Sequence, residues 1–225
     1  MSHDARPELF ETMYQLRAMR RFKPDPVPDE LIWQVLEAGT QAPSGSNTQV
    51  WRFLVVRDAA GKRFLQERYK RAWDAYARAN MEVAARQPPP AADLAARMRM
   101  ARAAADLAEH LHEVPVLILV CMVPRPDAAA HGQLAQRRPA ALYASIFPAV
   151  QNILLAARAL GLGSVLTTLH LVHEDEIKTH FGIPPEVETV ALLPLGYPRG
   201  KFGSVTRRRV EAVTYWERWE AHRPR

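Results

Sequence analysis

Ala42-Pro43-Ser44-Gly45-Ser46-Asn47-Thr48-Gln49-Val50-Trp51-Arg52-Phe53-Leu54-Val55-Val56 divides into two parts of opposite character. Its first half is small, hydroxylic or amide-bearing, punctuated by a proline and a glycine, and reads as a loop. From Trp51 onward aromatic and β-branched residues dominate, and a strand is predicted that ends at Arg57-Asp58. Upstream, Pro28-Asp29-Glu30 carries the proline and acids of a helix first turn. Leu31, Ile32, Val35 and Leu36 then make one helical face, with Gly39 as the expected stop. A helix, a polar loop and a strand therefore follow one another within about thirty residues, the short connections of a layered fold.

The same reading extends in both directions. Leu9, Met13, Leu16 and Met19 have a helical period, predicting an opening helix from Leu9 to Met19. From Lys62 to His112 the chain is rich in Ala, Arg and Glu, and Pro88-Pro89-Pro90 should split it into two helices whose arginines form a solvated face. Val116 to Val123 reads as a buried strand and the following stretch to Pro139 as a loop. Tyr143 to Leu160 reads as a central helix with Ile146, Val150, Ile153, Leu154 and Ala157 on one side and Gly161 just past its end. A short strand-like stretch at Ser164 to Leu169, a helix at Glu174 to Phe181 closed by Gly182, and a strand at Thr189 to Leu195 complete the pattern. The tail holds Arg207-Arg208-Arg209, Trp216 and Trp219, too aromatic for a disordered segment, and is expected to dock on another surface, of this chain or of a partner subunit. Few strands between long helices, without an internal repeat, predict an α+β layer fold. One domain over 1–225 is the simplest organisation, with a helical excursion or lid at about 62–112 and a C-terminal extension at about 197–225.

Composition narrows the class. The 225 residues are 48% hydrophobic and 24% charged, ordinary globular usage. A formal charge of +6 and a pI near 9.8 favour anionic partners. Cys121 has no partner for an intramolecular disulfide and lies in the apolar run Val116 to Val123, where a thiol is buried and inert. That run is far shorter than the roughly 20 residues of a membrane-spanning helix. Residues 1–8 carry acids and lead into no apolar h-region, so they do not read as a secretory signal. A reducing cytoplasm is the expected compartment.

Three constellations can carry chemistry. Arg17-Ala18-Met19-Arg20-Arg21 offers fixed charge and bidentate donors to a phosphate, although a solvated helix end has the same look. Pro43-Ser44-Gly45-Ser46-Asn47-Thr48-Gln49 offers close backbone approach and amide and hydroxyl groups to a polar planar ligand, or is a connector. Arg207-Arg208-Arg209 is a basic patch, on the surface or at a site. Their joint occurrence in this order separates the alternatives.

Together, these pieces make the sequence resemble the nitroreductase family of flavoproteins. The resemblance runs through Arg17 to Phe22, Ala42 to Val56, Gln151 to Gly163, Leu193-Pro194-Leu195-Gly196-Tyr197-Pro198 and the basic tail, and is thinnest over Lys62 to His112. It implies an α+β subunit with a mixed sheet flanked by helices, in a homodimer with one FMN in each of two interface clefts. It implies that Arg17, Ala18 and Arg20 hold the flavin phosphate and the pyrimidine side of the ring; Ala18 replaces the usual serine, so one hydroxyl contact is missing. Pro43, Ser44 and Gly45 would lie against the ring and ribityl chain, Ser46 would face the substrate, and Asn47 and Gln49 would add polar contacts. Leu166, Thr167 and Thr168 would run beside the redox-active edge. Arg207 or Arg208 would close on the phosphate, with Arg209-Val210 standing where the family has a proline. Tyr143 to Leu160 would be the dimer-core helix.

NADH or NADPH is the implied donor and a small molecule such as a nitroaromatic or quinone the implied acceptor. A flavin carries the hard chemistry, so no catalytic side chain is required. A dehalogenating, flavin-consuming or flavin-sensing role would use the same scaffold. Other classes find little support. His110 and His112 point in different directions on a helix and gain no second ligand pair, so no metal is expected. Ser44 lacks the preceding glycine of a nucleophile elbow. There is no dinucleotide-binding glycine fingerprint, so the nicotinamide must visit the flavin cleft. Nucleic-acid binding has no motif behind it, and acids interleave with the basic residues. His170, next to the Thr167-Thr168 pair, is a candidate proton donor or a structural histidine.

Overall fold

The computed structural model describes residues 8–88, 90–124 and 143–223. Its centre is β2 (Val116–Met122), whose seven residues are all buried. β2 pairs with β1 (Trp51–Val56) on one side and β4 (Glu188–Gly196) on the other, and the two-residue β3 (Gly163–Ser164) borders β4, giving the order β1-β2-β4-β3. All three pairings are antiparallel. The α+β expectation therefore holds, while the parallel pairing that a mixed sheet would include does not occur among the described residues. β2 reads as an unbroken apolar run because both of its faces are covered. Val116, Ile118, Val120 and Met122 join the core beneath α2 (Asp29–Thr40) and α5 (Ile146–Ala159). Leu117, Leu119 and Cys121 join a second core with α3 (Ala59–Arg86), α4 (Ala91–His110) and α6 (Glu174–Phe181).

α3 and α4 are separated at the proline run, as the sequence predicts. The positive φ of Gly161 (76°) and Gly182 (66°) closes α5 and α6, also as predicted. Several boundaries differ: α5 starts at Ile146 instead of Tyr143, β3 is confined to Gly163–Ser164, and two further differences have a visible cause. Gly39 does not stop α2, which continues to Thr40; a Cβ at Gly39 would lie 2.7 Å from Ile153 Cγ1, so this glycine lets α2 and α5 approach closely. α1 (Leu9–Gln15) is shorter than expected, because Leu16 turns extended and residues 16–22 join the edge of the sheet. There Met19 N donates to Ser164 O, Lys23 N to Tyr197 O, and Phe22 bridges Pro198. Leu9 and Met13, which carry the helical period, remain exposed (60% and 43%).

One proline shapes the edge of the sheet beyond β3. Ser164 pairs with Leu195 and Thr167 with Leu192, so β3 and its continuation keep one register along β4. Thr167 and Leu192 exchange both backbone hydrogen bonds. In an antiparallel ladder the next such pair is two residues on, where Val165 meets Pro194, which has no N–H to give. The ladder is interrupted there, and the chain around Leu166 and Thr168 turns its own N–H groups away from β4.

Candidate functional site

The segment 16–22 lies along β3 as extended chain, so the arginines project from a sheet edge and not from the helix end expected of them. Arg17 and Ala18 are exposed and Arg20 is half-buried. Arg21 is committed to Asp106 on α4 (Nε to Oδ2, 3.0 Å). Arg17, Arg20 and Arg208 make no ion pair among the described residues, and Arg207 reaches only the neighbouring Thr206 carbonyl (2.9 Å). The basic tail comes to the same end of the molecule: Val205 N donates to Tyr14 O, just ahead of Arg17 in the chain. Arg158, at the last turn of α5, secures this approach. Its guanidinium is stacked over Phe202 at 4.1 Å and donates to Gln15 Oε1 at 2.5 Å.

Thr167 is the third member of this end. Its backbone is spent on Leu192, so it cannot donate to a ligand, and the Leu166 side chain packs on the core. Thr168, exposed, is left as the residue with an outward N–H; its carbonyl accepts from Leu171. The Thr167 hydroxyl pairs with Tyr69 Oη at 2.9 Å, and Arg20 is close enough to act on the phenol. Burial pushes the Tyr69 pKa up, opposed by the Thr167 hydrogen bond and the Arg20 charge. Tyr69 was hidden in a stretch read as a solvated arginine face. The signal available was the spacing of Gly61, Leu65, Tyr69 and Ala72, one turn apart each, and these four are the buried residues of α3.

His170 does not reach solvent or a cleft. It is fully buried with both ring nitrogens unpartnered among the described residues, and desolvation lowers its pKa from 6.5 to about 4, which is a neutral core histidine and not a proton donor. Cys121 is the buried thiol expected, its pKa raised by desolvation to about 11.

The Pro43 to Gln49 loop is elsewhere. Gly45 N donates to Ser145 Oγ (3.1 Å), which places the loop at the N-terminal end of α5. Ser44 Oγ accepts from Gln49 N (2.9 Å), and Gln49 Nε2 donates to Asn47 Oδ1 (3.1 Å). Ser46, Asn47 and Gln49 have φ of 53°, 53° and 48°, three of the five non-glycine residues with positive φ among the described residues. Such backbone costs on the order of 1 kcal/mol or more per residue and clusters at ligand sites. Pro43, Gly45, Ser46, Asn47 and Gln49 are all exposed and Ser44 half-buried. The arginines, by contrast, gather at the other end of α5, where Leu162 N caps Ala157 O and the chain enters β3. Fourteen helical residues separate the two groups, about 20 Å.

The model of the Nitroreductase family matches residues 14–197. The chain belongs to the nitroreductase family. Among relatives of this chain, the NADH dehydrogenase of Thermus thermophilus is 33% identical over 89% of this chain and 91% of its own. The 5,6-dimethylbenzimidazole synthase of Rhodospirillum rubrum is 30% identical over 81% and 78%. A BluB-like flavoprotein structure from Clostridium difficile 630 superposes with a TM-score of 0.67 at 26% identity, covering 94% of this chain and all of the other. These likenesses support an oxidoreductase on a flavoprotein scaffold. No described helix is long and apolar enough to cross a membrane, and no group of three or more potential metal-ligating side chains occurs among the described residues.

Proposed function

We propose that the protein is a homodimeric, FMN-dependent oxidoreductase that passes electrons from NADH or NADPH to a small organic acceptor, a nitroaromatic or quinone, in the cytoplasm. The observation that carries this reading is the division of the site between the two ends of α5. Two groups about 20 Å apart on one chain cannot both lie against one tricyclic ring. In a two-fold dimer, however, each chain offers its own patch to the other's complementary patch. Antiparallel packing of α5 against its copy brings the arginine end of one chain to the loop end of the next, twice. The exposed Phe147 on α5 and Leu9, Phe10, Met13 and Tyr14 on α1 supply apolar surface for such an interface.

The residues present fit the cofactor. Arg17, Arg20 and Arg207 or Arg208, which make no ion pair among the described residues, suit a phosphate and the electron-rich pyrimidine carbonyls. Thr168 N–H would serve as a backbone donor for the ring edge, and Pro43, Ser44 and Gly45 of the second chain would cover the ring. Asn47 Nδ2 and Gln49 Oε1 remain for polar contacts, and Ser46 faces the acceptor. Bound FMN supplies the hydride and electron transfer. The protein places positive charge and an oriented N–H where negative charge grows on reduction, in a site partly shielded from water. Donor and acceptor use the same ring face in turn.

The test is to purify the protein, load it with FMN, and follow bleaching of the visible spectrum anaerobically with each nicotinamide. A yellow dimer, bleached by one of them and recoloured by acceptor, is expected, with parallel initial-rate lines. A protein that takes up no FMN overturns the cofactor assignment, and intersecting lines overturn the alternation. The family resemblance also leaves a second reading, in which the flavin is itself consumed. Loss of FMN in step with turnover, followed by chromatography, would select it.

A further inference from the structure

α3 has no backbone link to the sheet edge that carries the candidate site, yet one of its side chains reaches that edge. Tyr69 is 4% exposed, and its hydroxyl meets Thr167 Oγ1 at 2.9 Å across 98 residues of sequence. Thr167 is the one point at which the chain regains β4 beyond the gap left opposite Pro194; its only neighbouring anchors are Ser164 on one side and the turn at Leu169–His173 on the other. A single bridge residue held by two backbone bonds is a weak attachment, and the Tyr69 hydroxyl is its third restraint. Arg20, which comes from the third segment of the same end, acts on the same phenol.

We propose that Tyr69 is a positioning residue: its hydroxyl, through Thr167, fixes the direction of the Thr168 N–H and the distance between α3 and the arginine segment. The tether itself is independent of any ligand, and its consequence for flavin rests on the proposed function above. Tyr69 does not touch the reacting atoms. It sets the geometry of the donor beside them, so its removal changes how the cofactor is held more than whether the chain folds.

The tether is tested first on protein stripped of flavin. Hydrogen exchange of the peptide covering residues 164–170 should quicken in Tyr69→Phe and Thr167→Val by about threefold to tenfold, the loss of one hydrogen bond, and stay native in Thr167→Ser, which keeps the hydroxyl. Unchanged exchange in Tyr69→Phe overturns the proposal whether or not FMN binds. With FMN, the two disruptive variants should shift the absorption maximum and the midpoint potential of the bound flavin together, and the double variant should add nothing to either single one. Additive shifts, or a Thr167→Ser protein that behaves like Thr167→Val, also overturn it. A native protein that exchanges as expected yet stays colourless would refute the flavin reading and leave the tether standing.

Discussion

The two ends of α5 achieve order by different means. At its C-terminal end, three stretches distant in sequence, around Met19, Thr167 and Val205, are tied by backbone hydrogen bonds to β3, β4 and α1. The geometry there comes from the fold, and the arginines ride on it. At its N-terminal end, a single loop holds itself with the Ser44, Asn47 and Ser145 side chains and accepts three left-handed residues. There the local chain carries strain that its own side-chain pins and two short-range backbone bonds, Asn47 N to Ser44 O and Thr48 N to Gly45 O, offset. The first end should tolerate loop substitutions and suffer from damage to the core; the second should respond in the opposite way.

The strongest way to break the comparison is to disable each end in a different chain. Arg17→Ala/Arg20→Ala and Gly45→Trp should each lose FMN as homodimers, with affinity down by a hundredfold or more. Co-refolded at equal amounts, half the dimers are mixed, each with one intact cleft, so about a quarter of all sites should regain flavin. Flavin content after gel filtration reads this directly. No recovery in the mixture would place both ends in one chain's site and sink the divided arrangement.

The fold-built end should also be the acid-sensitive one. His170 lies just past Thr168 in the turn at Leu169–His173, which packs against α3, α6 and β4, and burial holds it neutral with its pKa lowered from 6.5 to about 4. The unfolded chain takes up a proton between about pH 6.5 and about 4 that the folded chain refuses. Stability present above pH 6.5 is therefore lost as pH falls through that window, by about 3 kcal/mol in full. Urea unfolding at pH 7 and pH 5 should show His170→Leu losing much less than the native chain over this interval. Equal losses would mean that the imidazole is solvated.

The smallest effect belongs to the strained loop. Ser46→Gly removes a Cβ from a backbone at φ 53°, and should raise stability by less than about 1 kcal/mol while loosening the loop. Thermal unfolding of flavin-free protein measures the gain. A destabilised variant would show that Ser46 makes contacts worth more than the relieved strain.

Much of the fold was legible because it rests on local chemistry. The proline run between α3 and α4, the left-handed glycines after α5 and α6, and the apolar continuity of β2 each signal through residues adjacent in sequence. α1 and Gly39 misled for a common reason: a long-range partner decided them. The helical period at Leu16 and Met19 yielded to pairing with β3, and Gly39 serves the side chain of Ile153 on another helix. The arginine and loop motifs were visible, but not that one helix holds them apart, since sequence order carries no distance. Tyr69 and Arg158 stayed hidden because each looks like one more polar residue on a helix, and only tertiary neighbours give them a role. The tail was expected to dock, yet Trp219 is 81% exposed here, with Trp216 N turned back on Ala221 O; in this chain its surface is unspent.

Cys121 sits in the central strand between β1 and β4, buried against the helices of the second core, and desolvation pushes its thiol pKa up to about 11. At neutral pH, on the order of one thiol in ten thousand is the reactive thiolate, and it is shielded. For maleimide chemistry the native chain therefore behaves as if it had no cysteine at all. Fluorophores can be attached through cysteines introduced at the loop and at the tail without first deleting the natural one, and energy transfer between dyes on separate chains can report directly on how two copies come together.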